Sequence, residues 1–191
     1  ISTQTVFIET GDATTRTVNL TVPAGTEAVL SFFTRPFQSG NTSVITSGTL
    51  DGETLSVLGT SAGNQYITCA VLGITSAIAS GTRVLSLTAD AVWGRAGISV
   101  VYFDDAATFG TPSFATFTNT VNVTSESGKD VYAGCGRTNA AAGAITPGTN
   151  ETELEDALGG TYNLRHGLVV ETASGTSTTI NPTLTGSGDT F

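Results

Sequence analysis

Methionine is missing from this 191-residue chain, and lysine, histidine and tryptophan occur once each, as Lys129, His166 and Trp93. Six arginines (Arg16, Arg35, Arg83, Arg95, Arg137 and Arg165) are spread along the sequence. Phosphate backbones require clustered Lys and Arg, and a net charge of −9 opposes them further, so no nucleic-acid partner is expected. Charged residues are only 12% of the chain, about half the usual share. The two cysteines, Cys69 and Cys135, lie far apart with no nearby histidine or second cysteine, which excludes a zinc site. They read either as two reduced, buried thiols or as one disulfide. The longest apolar stretch, from Cys69 to Ala79, is broken by Gly73, Thr75 and Ser76 and falls short of the ~20 residues a membrane span needs. No membrane partner is expected. Ile1-Ser2-Thr3-Gln4 has neither the positive region nor the apolar run of a signal peptide. Two routes out of the cell fit: a leader already removed, or assembly into a virus particle.

With few charges, the polar surface must be built from Thr, Ser, Asn and Gly. Threonine makes up about a fifth of the chain, and its β-branched side chain favours a pleated, half-exposed strand. A hydrophobic share of 39% with a mean hydropathy of +0.15 rules out intrinsic disorder. The length fits one domain, residues 1–191. Thr17–Val22 alternates apolar with polar, Pro23-Ala24-Gly25-Thr26 turns the chain, and Ala28–Phe33 reads as the returning strand. Asp51-Gly52, between Leu50 and Glu53, is a strong hairpin signal. Further strands are predicted at Tyr66–Leu72, Arg83–Thr88, Ile98–Phe103, Thr116–Val123, Val131–Cys135, Tyr162–Val170 and Thr178–Leu184. One helix is predicted over Asn150–Leu158, capped by Asn150, with Glu151, Glu153, Glu155 and Asp156 near its positive end. This pattern is all-β: a jelly-roll-like β-sandwich of about 8–11 strands with at most one short helix.

The chain also resembles itself. Thr17-Val18-Asn19-Leu20-Thr21 followed by Glu27-Ala28-Val29 is similar to Thr120-Val121-Asn122-Val123-Thr124 followed by Asp130-Val131-Tyr132, 103 positions on (121 − 18). A second pair keeps the order: Tyr66 to Val71 with Ser80-Gly81-Thr82, against Tyr162 to Val170 with Ser174-Gly175-Thr176. An internal duplication is expected, with halves of about 14–105 and 116–191 folded face to face around one core. The second half lacks a counterpart of the Ile98 strand. The N-terminal strand Gln4–Glu9 or a neighbouring subunit can take that place, and an edge left open invites strand addition between chains.

Motifs with chemical potential are few. Gly59-Thr60-Ser61-Ala62-Gly63 matches the nucleophile-elbow pattern, but a strand follows it where a helix is required. Small residues in a hairpin loop explain it. His166 must serve any triad or metal site, and in its strand it reads as an outward-facing structural histidine. Asp104-Asp105, with Asp12 and Asp51 in other loops, offers oxygen ligands for calcium or a carboxylate pair for glycoside hydrolysis, but with no calcium-loop spacing. The acidic face at Glu151–Asp156 reads as solvated before it reads as a calcium site. Asn19, Asn41, Asn122 and Asn150 begin N-x-[ST] triplets, which arise freely in a chain so rich in Thr and Ser. A sugar platform would need Trp93 and tyrosines such as Tyr66 on one face. No catalytic residue and no cofactor is expected, and the metal question stays open.

Val22-Pro23-Ala24-Gly25-Thr26, the Asp51-Gly52 turn before Leu55, Ser80-Gly81-Thr82-Arg83-Val84 and Val100-Val101-Tyr102-Phe103 together resemble a β-sandwich module of tailed-phage structural proteins and bacterial surface proteins. That resemblance implies a jelly-roll-like sandwich used for assembly or adhesion, commonly in an oligomer, and it brings no catalytic residues. The expected function is that of a virion structural protein, a capsid decoration or head-associated protein, on the virion surface or otherwise extracellular. Its partners would be the major capsid protein or other virion subunits, with copies of itself in a homo-oligomer. The alternative is a carbohydrate-binding or adhesive module of a bacterial surface or phage tail protein, and a hydrolase resting on Ser61, or on Asp104 with His166, comes third.

Overall fold

The computed structural model of the protein describes residues 1–9, 11–36, 43–61, 67–115, 120–137, 144–159 and 164–184. The first eight strands are β1 (Ser2–Ile8), β2 (Ala13–Val22), β3 (Ala28–Pro36), β4 (Ile45–Leu50), β5 (Glu53–Ser61), β6 (Ile67–Ile74), β7 (Gly81–Trp93) and β8 (Ala96–Phe103). They form one antiparallel sheet in the order β1-β8-β3-β6-β5-β4-β7-β2. Its two end strands approach each other, so the sheet almost closes into a barrel. The seam is bridged by Gln4 of β1, whose side-chain oxygen accepts from the backbone N–H of Thr21 on β2 (3.0 Å) and from the Tyr102 hydroxyl (3.0 Å).

Alternation decides which side chains enter the barrel. In β2, Leu20 and Val22 are buried while Thr17, Asn19 and Thr21 are exposed. Leu50, Leu55, Leu72, Leu85, Leu87 and Ile98 join Leu20 in the interior, each fully buried side chain contributing about 1.5–3 kcal/mol. Phe33 meets Trp93 edge to face, with centroids 5.3 Å apart at 88°. Between β4 and β5, Leu50 pairs with Glu53 across Asp51 (φ 54°) and Gly52 (φ 92°), the left-handed pair that a two-residue primed turn needs.

The remaining strands are β9 (Val121–Thr124), β10 (Asp130–Arg137), β11 (Ile145–Thr146), β12 (Thr152–Leu158), β13 (Arg165–Thr172), β14 (Ser177–Ile180) and β15 (Thr183–Leu184). They make a sheet β10-β13-β12 and the two-stranded pairs β11-β15 and β14-β9. Among the described residues fifteen strands occur where about 8–11 are expected, chiefly because β11 is too short to read, the β12 segment reads as a helix and Thr178–Leu184 divides into β14 and β15. Parts of three expected strands, at Tyr66, Thr116–Asn119 and Tyr162–Asn163, lie outside the described residues.

No helix occurs among the described residues, and the segment predicted as one is the strand β12. A helix of that length is marginal in water on its own, whereas pairing with β13 from Thr152 to Leu158 satisfies the backbone across a bulge at Glu153/Glu155. Asn150, instead of capping a helix, stands in a turn at φ 68°. Glu151 braces that turn, accepting from the backbone N–H of Gly148 (2.9 Å) and of Asn181 (2.5 Å).

The β10-β13-β12 sheet lies on the outside of the barrel, with β10 against β3, β13 against β8 and β12 against β1. Glycines allow the close approach: a Cβ on Gly134 would come within 2.5 Å of the Phe32 side chain, one on Gly136 within 2.6 Å of Thr34, and one on Gly97 within 2.6 Å of His166. Ala28, Leu30, Phe32, Val71, Val101 and Phe103 meet Leu168, Tyr132 and Leu154 in this seam. Strand β8 is therefore buried on both faces, which accounts for a sequence that is apolar but for Ser99. Behind the outer sheet, Val131, Cys135, Ile145, Val169 and Ile180 pack with Val121 and Val123 in a third cluster. The expected single core between two strand sets is thus replaced by a barrel core drawn from the first 103 residues, an interlayer seam and a smaller cluster.

Pairing in the second half repeats that of the first. β2 pairs with β7 as β9 does with β14, and β3 with β6 as β10 does with β13. Likewise β5 pairs with β6 as β12 does with β13, and β4 with β7 as β11 does with β15. Facing sets the equivalence. Val29 and Leu72 point into the barrel, and Val131 and Val169 point into the smaller cluster. Val29 therefore corresponds to Val131, one residue out of step with the match to Tyr132 read from sequence. β1, one of the two fillers considered for the second half, pairs instead with β8 in the barrel from Ser2 to Ile8.

Candidate functional site

His166 does not face outward. It is 0% exposed on β13, pressed against Gly97 of β8. Its Nδ1 lies 2.8 Å from Ser99 Oγ and its Nε2 3.0 Å from Thr34 Oγ1, both on barrel strands. Ser99 in turn is 2.8 Å from Thr5 Oγ1. These four side chains form a hydrogen-bonded chain across β1, β8, β13 and β3. Burial lowers the His166 pKa from 6.5 to about 3, so the ring is neutral in ordinary buffers. Among the described residues no carboxylate touches it, and it satisfies hydroxyls at a layer junction. The local sequence did carry a signal: Leu164, His166 and Leu168 are in step at period two and all three are buried.

The other candidates are scattered. Ser61 ends β5 opposite Cys69 of β6, and Ala62 and Gly63 of the elbow pattern lie outside the described residues. Asp104 and Asp105 are exposed, Asp104 forming an ion pair with the N-terminal amine at 3.4 Å. Asp51 pairs with Arg83 at 2.8 Å, and Asp12 is exposed. Asp156 pairs with Arg165 at 2.9 Å and accepts from the Ile145 N–H, so it is structural. Among the described residues, no three of His, Cys, Asp and Glu gather as a metal site would require. Trp93, considered as a sugar platform, is 0% exposed and donates through Nε1 to the Thr14 carbonyl (2.9 Å). Tyr66 lies outside the described residues.

Both cysteines are free. Cys135 points into the third cluster, its thiol 3.7 Å from the Gly167 carbonyl, and burial raises it to about 12 with help from Glu151, Asp156 and Glu153. Burial likewise raises Cys69 to about 11, against a hydrogen bond with Thr34 that lowers it.

Two surfaces remain that sequence reasoning did not isolate. The first is a hydroxyl face on the barrel. Thr17, Ser86, Thr49 and Thr54 stand side by side across β2, β7, β4 and β5, and Thr15, Thr88 and Ser47 form the adjoining row. Thr15 and Thr88 hydroxyls are 2.9 Å apart. These rows carry no charge. The register of four strands creates them, and single-strand patterns cannot show register.

The second is a cavity of about 120 Å³ along the edge of β10 that is not paired with β13. Phe32 and Val71 of the barrel form its floor, Phe114 one wall and Val121 of β9 another. Ala133 from one face of β10 and Tyr132 from the other both reach it. No charged residue lines it among the described residues.

No protein-family model matches the chain, and no curated protein matches it in sequence.

Proposed function

We propose that this chain is a structural protein of a virus particle, of the capsid-decoration or head-associated kind, acting by protein–protein contact and not by chemistry. The hydroxyl face carries this reading. A nearly closed barrel carries two rows of Thr and Ser with no charge. Burying neutral hydroxyls against a partner that hydrogen-bonds them costs far less than burying charges, so such a face suits a broad interface of ~800 Å² per partner. The acidic remainder of the surface, at a net −9, keeps the protein soluble until it docks. Partners would be other virion subunits. A fold of this kind hosts many functions, so the site and not the barrel carries the proposal.

Purified particles should contain the chain at a fixed ratio to the major subunit. Replacing the exposed Thr17 and Thr54 by lysine should abolish that association while leaving the free energy of unfolding within about 0.5 kcal/mol of the parent, as exposed substitutions do. A chain recovered only as free protein, or a double variant that still docks, ends the reading.

A further inference from the structure

The barrel and the outer layer follow one another along the chain. The barrel strands end by Phe103 and the outer strands start at Val121, so the layers can part without unthreading. The barrel core draws only on residues between Val6 and Tyr102 and stays complete when they do. The outer strands have only the smaller cluster of their own, and few buried apolar contacts mark the unit that opens first. His166 stands in the seam between the layers, 0% exposed against Gly97, with its two nitrogens on Ser99 and Thr34 of the barrel. A neutral imidazole donates from one nitrogen and accepts at the other, which suits two hydroxyls. Protonation turns both nitrogens into donors and sets a charge where no water reaches it, a cost that separation removes. We infer that protonation of His166 releases the β10-β13-β12 layer from a barrel that stays folded, so that the seam is an acid-opened joint.

The groups set around the ring are uncharged. Among the described residues, β8 supplies Gly97 and Ser99, β3 Thr34, β1 Thr5, β10 Gly136 and β12 Ala157. On either side of Ala157, Glu155 accepts from the Thr3 hydroxyl (2.6 Å), and Gly159 lies beside Phe7 and Glu9. Cys69, bonded to Thr34, is held by burial at about 11. Tyr132, farther along β10, is held at about 12 by burial with Asp130 and Asp105 beside it, so neither group charges in acid. The closed seam lowers the ring's pKa to about 3 by burial, whereas a ring lifted into water regains 6.5. Closure is therefore full above pH 6.5 and is lost as pH falls toward 3, the open-to-closed ratio rising about tenfold per unit. Opening would bring Phe32, Val71, Val101, Phe103 and Leu168 to the surface, an apolar face hidden at neutral pH.

Acid opening needs no partner, so it is tested on the full chain alone, whatever the outcome for the assembly reading. Amide exchange, corrected for its intrinsic pH dependence, is compared at pH 7 and pH 4.5, and the ring of the single histidine is titrated by NMR. Protection of β13 amides should fall by about 100-fold, while β2 and β7 amides and the fluorescence of Trp93 in the barrel core stay unchanged. The imidazole should titrate well below 6.5, in step with that loss. His166→Gln should remove the pH dependence, and Glu155→Gln should leave it. Equal loss of protection in β2 and β7 means that the molecule opens as a whole and overturns the inference. So does a ring that titrates near 6.5 with β13 still protected, or a pH dependence that survives in His166→Gln or vanishes in Glu155→Gln. Should His166→Gln fail to fold, exchange and ring titration of the parent decide alone.

Discussion

Among single residues, His166 has the most to tell. The unfolded chain holds its imidazole at pKa 6.5, and the folded chain at about 3. Between these values the unfolded state binds a proton that the folded state refuses, so stability falls as pH drops from 6.5 toward 3. At 1.36 kcal/mol per pH unit, the loss from pH 7 to pH 4 should be on the order of 3 kcal/mol from this group alone. Urea midpoints for the parent and His166→Gln at both pH values isolate it: the variant should be weaker at pH 7 but lose less on acidification. Ser31 offers the opposite case. It is 1% exposed on β3, opposite Leu72 and Val100, and its hydroxyl has no partner among the described residues. The corresponding position on β10 holds Ala133. Ser31→Ala should therefore raise stability by about 1 kcal/mol, measured by denaturant unfolding. The Cys135 thiol should resist Ellman's reagent at pH 8 until the chain is unfolded, since it is buried and burial holds it at about 12.

Strands and turns were legible where one face meets water and the other meets a core. β2 shows it by alternation, and the β4–β5 hairpin by Asp51-Gly52. Gly52→Val should cost about 1–2 kcal/mol by thermal unfolding, because φ 92° is strained for a branched side chain. β12 was misread because local charge favours a helix start, whereas the deciding partner, β13, is supplied from elsewhere. The facing of Trp93 was available in principle: with Leu85, Leu87 and Ala89 it falls on the buried parity of β7. The hidden face of His166 depends on Gly97, 69 positions away (166 − 97), and a glycine announces no neighbour in advance. Gly97→Ala tests that dependence. Its Cβ would collide with the imidazole carbons, and overpacking of this kind costs about 1–3 kcal/mol.

At the scale of the whole molecule, composition was enough for the all-β class but not for the arrangement of layers. The internal similarity pointed to strands that do pair alike, β2 with β7 and β9 with β14. It could not reveal that one set wraps on itself and carries the other on its back, because that choice rests on contacts between side chains and not on any one segment. The seam at Gln4 has a mechanical consequence. Among the described residues, β1 is held by its ladder with β8, by the Gln4 carboxamide across the gap to β2 and by the Thr3 hydroxyl on Glu155 of β12. A pull on the N-terminus would peel this strand like a zip fastener, one rung after another. A load on residues within the tightly paired β2–β7 ribbon would have to shear many rungs at once. The direction of tension, more than its size, would decide whether the barrel survives.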